Sequence, residues 1–396
     1  MKRKYEQLLK DHFSQNNQMA FIAGPRQVGK TTSCMAFAAQ PHYFNWDSED
    51  DRRVILNGPA EVADVIGATT GRTIVLDELH KYPGWKNFLK GFYDTYAHKR
   101  FRVVVTGSSR LDLYRKGADS LMGRYFMYRM HPLSVGEITN TKLLEEEISS
   151  PHPISKKKFS ALLQFGGFPE PYLKKNTRFY NRWKSTRLKL LFREDLRETT
   201  RLLEVGQVEI LAELLKHQAG QLVSYASLAR KVRASEDSIR RWISVLASLY
   251  FCFQIRPWSN NISRSILKNP KIYLTDWSLV DDKGAKHENF VACHLQKAVN
   301  WWQDLGYGTY KLYYLRTKDK REIDFLVARN GKPWFIAEVK SSSQKRVSKS
   351  LEYFKTRTGA EHAFEVVMNM PYEDVDCFAY DYPVRVPAAT FLSQLI

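Results

Sequence analysis

The sequence predicts an α/β protein in three parts: a parallel-sheet domain over residues 1–140, a helical middle with a winged helix-turn-helix over 155–275, and a second α/β domain over 276–396. Three observations predict it. Short apolar runs alternate with helical patterns in the first third, as in a doubly wound parallel sheet. In the middle, two helical patterns meet near Arg233 and Ala234 and run into an apolar strand. Helix and strand patterns alternate again at the end of the chain. The 396 residues exceed an ordinary single domain, and 43% hydrophobic with 13% aromatic residues supply packed cores.

In chain order, "MAFIAG", "HYFNWD", "TIVLDE" and "RVVVTGSS" are the candidate strands of the first part. Between the first of them and the helical "TSCMAFAAQ" lies "GPRQVGKT", which fits GxxxxGK[ST] with a strand before it and a helix after it. Gly24, Pro25, Arg26, Gln27, Val28, Gly29, Lys30, Thr31 and Thr32 are therefore expected to form a P-loop around a nucleotide. Glycines let backbone N–H groups wrap the phosphates, Lys30 reaches the β- and γ-phosphates, and the Thr31 hydroxyl can hold Mg²⁺. The helix N-terminus adds partial positive charge. "TIVLDE" ends in two carboxylates: Asp77 is expected to hold the Mg²⁺ through its water shell, and Glu78 to orient and deprotonate the attacking water. An exposed turn is the competing reading. "VVVTGSS" ends where strand tips converge on a ligand, so Ser108 or Ser109 is expected to sense the γ-phosphate, with a simple turn as the alternative.

The polar "TKLLEEEISSPHPISKKK" has alternating charge, two prolines and little apolar periodicity, and reads as a linker. From Phe159 to about Leu203 the chain is aromatic, basic and helical after "GGFPEP". In "SLARKVRASEDSIRRWISVL", Leu228, Val232, Ile239, Ile243 and Leu246 form an inner face, leaving Arg230, Lys231, Arg233, Arg240 and Arg241 outward. Ser235 caps the second helix and Asp237 lies in its first turn. Basic side chains at the start of a recognition helix suit DNA phosphates, and a solvated helix used for protein contact suits the same pattern. A net charge of +19 and a pI near 9.6 favour a polyanion partner.

"REIDFLVARNGKPWFIAEVKSS" reads as two strands joined by a glycine turn, with acids where valine is usual. Alternation places Glu338 and Lys340 on one face of one strand, and Asp324 comes from its hairpin partner. Asp324 and Glu338 can share Mg²⁺, with Lys340 orienting a water or stabilising the phosphorane, the PD-(D/E)XK arrangement of nucleases. An ordinary cross-strand ion network is the alternative.

"GPRQVGKT", "VLDELHKYPGWK", "VVVTGSSRLDL", "GRYFMYRMHPLSVGE" and "GGFPEP", in this order, resemble the prokaryotic AAA-type (AAA+) P-loop ATPases whose ATPase domain precedes a domain formerly of unknown function. The resemblance covers essentially the whole chain. It implies ATP as the nucleotide, a winged helix, and a nuclease-like C-terminal domain. It adds Glu288, on "HENFVACHLQKAV", as a further metal ligand. It also implies a homo-oligomer in which an arginine reaches a neighbour's site; Arg110 and Arg124 are the candidates, with phosphate or structural roles equally open. The expected function is an ATPase acting on DNA, with nuclease activity open. The alternative is a nucleotide-dependent switch on a protein partner.

Cys34, Cys252, Cys293 and Cys377 are far apart with no CxxC pair or Cys/His ladder, so they suggest neither a zinc site nor a disulfide framework, which fits a reducing cytoplasm. "MKRKYEQLLK" continues into polar residues rather than the apolar core of a secretory signal. No apolar run reaches the ~18 residues of a membrane span.

Overall fold

A computed structural model describes residues 1–67, 69–98, 100–107, 121–143, 145–199, 204–259, 269–343 and 346–396. The chain divides into two compact units, one comprising Met1–His131 with Thr141–Leu143, the other Pro132–Asn140 with Leu144–Ile396.

The first unit is built on a parallel sheet of β1 (Met19–Ala23), β2 (His42–Asn45), β3 (Arg72–Asp77), β4 (Phe101–Gly107) and β5 (Tyr125–Arg129), in the order β2-β3-β4-β1-β5. Every residue of β1 is buried, as is β3 after Arg72, because helices cover both faces of a parallel sheet. That is why these strands read as continuous apolar runs. The helix Trp85–Phe92 buries Trp85, Phe88, Leu89 and Phe92, the i, i+3, i+4, i+7 stripe of a helix lying on a core. The order separates β1 from β3 by β4, so three strand ends meet at one edge: the P-loop after β1, the acids at the end of β3, and Thr106 near the end of β4. The sequence reading had not included β5.

The second unit holds a mixed seven-stranded sheet, order β12-β11-β10-β9-β8-β6-β7. Its strands are β6 (Cys252–Pro257), β7 (Lys271–Leu274), β8 (Tyr310–Arg316), β9 (Glu322–Arg329), β10 (Lys332–Lys340), β11 (His362–Val367) and β12 (Pro383–Pro387). The 22-residue helix Lys283–Asp304 packs across β7 to β10. Helices Tyr225–Val232 and Glu236–Ser248 meet at Arg233, whose φ of 56° makes the turn between them.

Of the polar stretch expected to be a linker, Thr141–Leu143 belong to the first unit and the part from Glu145 on is packed within the second. The Ser149 N–H donates to the Gln394 carbonyl at 2.9 Å, the Trp302 indole to the Glu147 carbonyl at 2.6 Å, and Arg329 pairs with the Glu147 carboxylate at 2.9 Å. Backbone groups of Glu147 and Ser149 find partners elsewhere in the unit, so this part is structured despite its polarity. The four cysteines are buried and free, and among the described residues no helix is long and apolar enough to cross a membrane.

Candidate functional site

After β1 the chain turns through residues 24–29 into the helix Lys30–Ala36. Two glycines are required there. A Cβ on Gly24 would lie 2.3 Å from the Met130 carbonyl oxygen, and Gly29 has a φ of 99°. Gln27 is also left-handed, at 62°. The loop curls until Lys30 folds back over it, its ammonium donating to the Gly24 and Pro25 carbonyls at 2.9 and 3.0 Å. Burial lowers the Lys30 pKa, and the Glu78 and Asp77 carboxylates oppose that shift. Arg3, just before the first helix, pins the loop by donating to the Val28 carbonyl at 2.6 Å.

The ends of β3 and β4 supply the acids and their donors. Asp77 Oδ2 accepts from the Thr31 hydroxyl at 2.7 Å and from the Tyr43 hydroxyl at 2.9 Å. Asp77 Oδ1 accepts from the Glu78 N–H at 3.1 Å and from the Thr106 hydroxyl. Four donors on one buried carboxylate fix its orientation. Glu78 sits at a φ of 53°, which turns its side chain away from the strand. Its Oε2 is buried without a hydrogen bond, 3.5 Å from His80 Nε2. Burial raises the Glu78 pKa, with Lys30 opposing. A buried carboxylate that is under-supplied with donors is suited to accept a proton.

The Thr31 hydroxyl and Asp77 carboxylate, 2.7 Å apart and offering only oxygen, fit Mg²⁺. The curled loop and Lys30 fit nucleotide phosphates. Ser108, Ser109 and Arg110 lie outside the described residues. Arg124 is committed within its own chain: Nε and Nη2 bond Asp94 at 2.7 and 2.8 Å, a bidentate pair. The sequence reading missed Tyr43 and Thr106. Register pairs Thr106 with Asp77 directly, and on the other side pairs Asn45 with Asp77, which leaves Tyr43, two residues earlier on the same face of β2, to reach across to it. The available signal was a polar residue in or at the end of an apolar run, in "HYFN" and "VVVT".

In the helix-turn-helix, Leu228, Val232, Ile239, Ile243 and Leu246 are buried as expected, and the Ser235 hydroxyl caps the second helix by accepting from the Ser238 N–H at 3.1 Å. Arg230, Lys231, Arg233 and Arg241 are exposed. Arg240 is exposed too, with its guanidinium 3.8 Å over the Tyr225 ring and 3.8 Å from Glu236. β6 and β7 follow as an antiparallel pair, and Leu222, ahead of the two helices, bridges to Lys271 on β7.

The structure brings Asp324, Glu338, Lys340 and Glu288 close together. Asp324 Oδ2 accepts from the Val339 N–H at 2.8 Å across the hairpin, and Lys340 bonds Glu338 Oε1 at 2.5 Å. Burial, then the nearby Glu288, push the Asp324 pKa up to about 8. Glu288, however, is taken: Tyr273 donates to its Oε1 at 2.6 Å and Lys271 at 3.1 Å. Lys271 also contacts Glu322 at 2.6 Å and Asp324 at 3.9 Å. Where Glu288, Asp324 and Glu338 were expected to share Mg²⁺, Glu288 and Asp324 have the Lys271 ammonium beside them. Among the described residues no group of three or more Asp, Glu, His or Cys side chains is arranged to hold a metal ion, and the Lys271 ammonium stands among these acids. Sequence reasoning could not see Lys271, 53 positions before Asp324, because only sheet pairing brings β7 beside the acids.

Residues 16–139 match the family model of an AAA domain, 156–282 that of a domain of unknown function (DUF8612), and 283–386 that of another (DUF4143). An uncharacterized protein of Mycobacterium tuberculosis is 24% identical over 350 residues, covering 84% of this chain and 72% of its own. One from Methanocaldococcus jannaschii is 22% identical over 331 residues, covering 78% and 72%. Among solved structures, the Aeropyrum pernix ORC1 protein in complex with DNA overlaps 73% of this chain and 91% of its own, at 14% identity and a TM-score of 0.32. A phosphate-loop cradle, two acids at the end of the neighbouring-but-one strand and the family match over residues 16–139 agree on an AAA-type ATPase-like domain in the N-terminal part of the chain.

Proposed function

We propose that the chain binds and hydrolyses ATP and couples that cycle to DNA held by its helix-turn-helix segment. The observation that carries the reading is the Thr31–Asp77 hydrogen bond at 2.7 Å with Glu78 beside it at the end of the same strand. In the proposed cycle, Lys30 exchanges the Gly24 and Pro25 carbonyls for the β- and γ-phosphates. Glu78 orients a water against the γ-phosphate and takes its proton. Mg²⁺, when bound, neutralises charge on the β- and γ-oxygens, and Thr31 and Asp77, the latter through water, would hold it. Asp77 cannot swing away, because Tyr43 and Thr106 hold it as well.

The exposed Arg230, Lys231, Arg233 and Arg241, and the antiparallel β6–β7 pair behind them, support the DNA arm and its winged-helix form. Homo-oligomeric assembly belongs to the same proposal. A second reading is a nucleotide-dependent switch on a protein partner, to which the same exposed basic face is open. Phosphate release measured with Mg²⁺, with and without duplex DNA, separates the two. Stimulation by DNA that Lys30→Ala abolishes supports coupling; turnover indifferent to DNA favours the switch, and no turnover in either condition removes the ATPase assignment.

A further inference from the structure

The acids of the C-terminal sheet already have a cation, and the chain supplies it. Lys271 is the first residue of β7, and its side chain is 4% exposed. Its ammonium stands 2.6 Å from Glu322, 3.1 Å from Glu288 and 3.9 Å from Asp324. These acids come from two elements, the helix Lys283–Asp304 and β9, so the lysine ties three parts of the fold at one point. Burial disfavours its charge, yet Glu288, Asp324 and Glu322 outweigh that and raise its pKa. A lysine this deep stays charged because the acids need it, and they stay close because it is there.

We propose that Lys271 is the resident cation of this cluster, standing where a divalent metal would sit among Glu288, Glu322 and Asp324, so that the wild-type protein binds no divalent metal there and performs no metal-dependent phosphodiester cleavage. A divalent ion needs several oxygens converging at about 2.0–2.6 Å. Here the oxygens converge on nitrogen instead, and an ammonium within 4 Å would repel an incoming metal. The remaining groups fit a site balanced without metal. Arg316 pairs with Glu322, and Lys340 takes Glu338 Oε1 at 2.5 Å. Four carboxylates thus face three cations, Lys271, Arg316 and Lys340. The inference is independent of the nucleotide reading.

The test uses the nucleotide-free full chain and Mn²⁺, read by the free-ion electron paramagnetic resonance signal and by melting temperature. Wild type and Asp324→Asn should take up Mn²⁺ equally, with no uptake that depends on Asp324. Lys271→Met should gain about one Mn²⁺ per chain and melt about 5 °C higher at 100-fold excess over Kd. Adding Asp324→Asn should remove that gain. Should Lys271→Met not fold, Lys271→Gln, which keeps a hydrogen-bond donor, carries the same comparison. Uptake by wild type that Asp324→Asn abolishes overturns the proposal. So does a folded lysine variant that still takes no metal.

Discussion

Glu78→Gln isolates the proposed base from everything else in the nucleotide site. The side chain is 17% exposed, its Oε2 makes no hydrogen bond, and His80 Nε2 lies 3.5 Å from that oxygen. An amide of the same shape therefore breaks no hydrogen bond at that oxygen and leaves the Lys30, Thr31 and Asp77 contacts in place. What it removes is the capacity to take a proton. General-base catalysis contributes about 10²–10⁴-fold, equivalent to about 3–5 kcal/mol in the barrier. Nucleotide affinity should change less than about threefold, since no phosphate contact is lost. Single-turnover phosphate release beside a fluorescent-nucleotide titration reads both quantities. Turnover within about threefold of wild type with binding intact would refute the role of Glu78. Loss of binding together with turnover would show that Glu78 supports the loop instead.

Tyr43→Phe deletes one of two donors on Asp77 Oδ2, 2.9 Å away. A hydrogen bond to a charged group is worth about 1.5–3 kcal/mol, so the Mg²⁺ concentration giving half-maximal turnover should rise about tenfold while metal-free nucleotide binding holds. Arg230→Ala with Arg241→Ala should weaken DNA binding alike across sequences and lower the salt slope by about 1–2, with the circular dichroism spectrum unchanged; an unaltered slope favours the protein-partner reading. Asp324 has a pKa raised by burial and by Glu288 and Glu338, against Lys271 and the Val339 N–H, with Lys340 and Glu322 also in the cluster. Its protonated form is the one the fold favours, so its contribution is complete below the ordinary carboxylate range and is lost as pH rises towards about 8. Asp324→Asn, which cannot ionise, should gain melting temperature relative to wild type between pH 5 and 8. A difference that stays flat over that range would argue that Asp324 is ionised throughout.

Some of this protein was settled by local chemistry, and that part was legible in the sequence. The P-loop needs glycine at positions 24 and 29 because of a 2.3 Å approach to Met130 and a φ of 99°, and such demands write themselves as residue types at fixed spacing. The buried strands β1 and β3 show as unbroken apolar runs, and the cap at Ser235 as a serine before an acidic first turn. What the sequence left undetermined depends on groups far apart in the chain. Strand order alone places Thr106 against Asp77, and nothing local to "VVVT" distinguishes that hydroxyl from any other. The polar stretch from Glu145 on has a linker's composition, yet docks because residues about 245 positions later complete its hydrogen bonds. The acids of the C-terminal hairpin announce themselves, but their spacing describes a metal site and a lysine-bound ion cluster equally well. Only the pairing of β6 with β7 and β8 brings the Lys271 ammonium among them, because charge compensation acts through distance in space and carries no trace of distance along the chain.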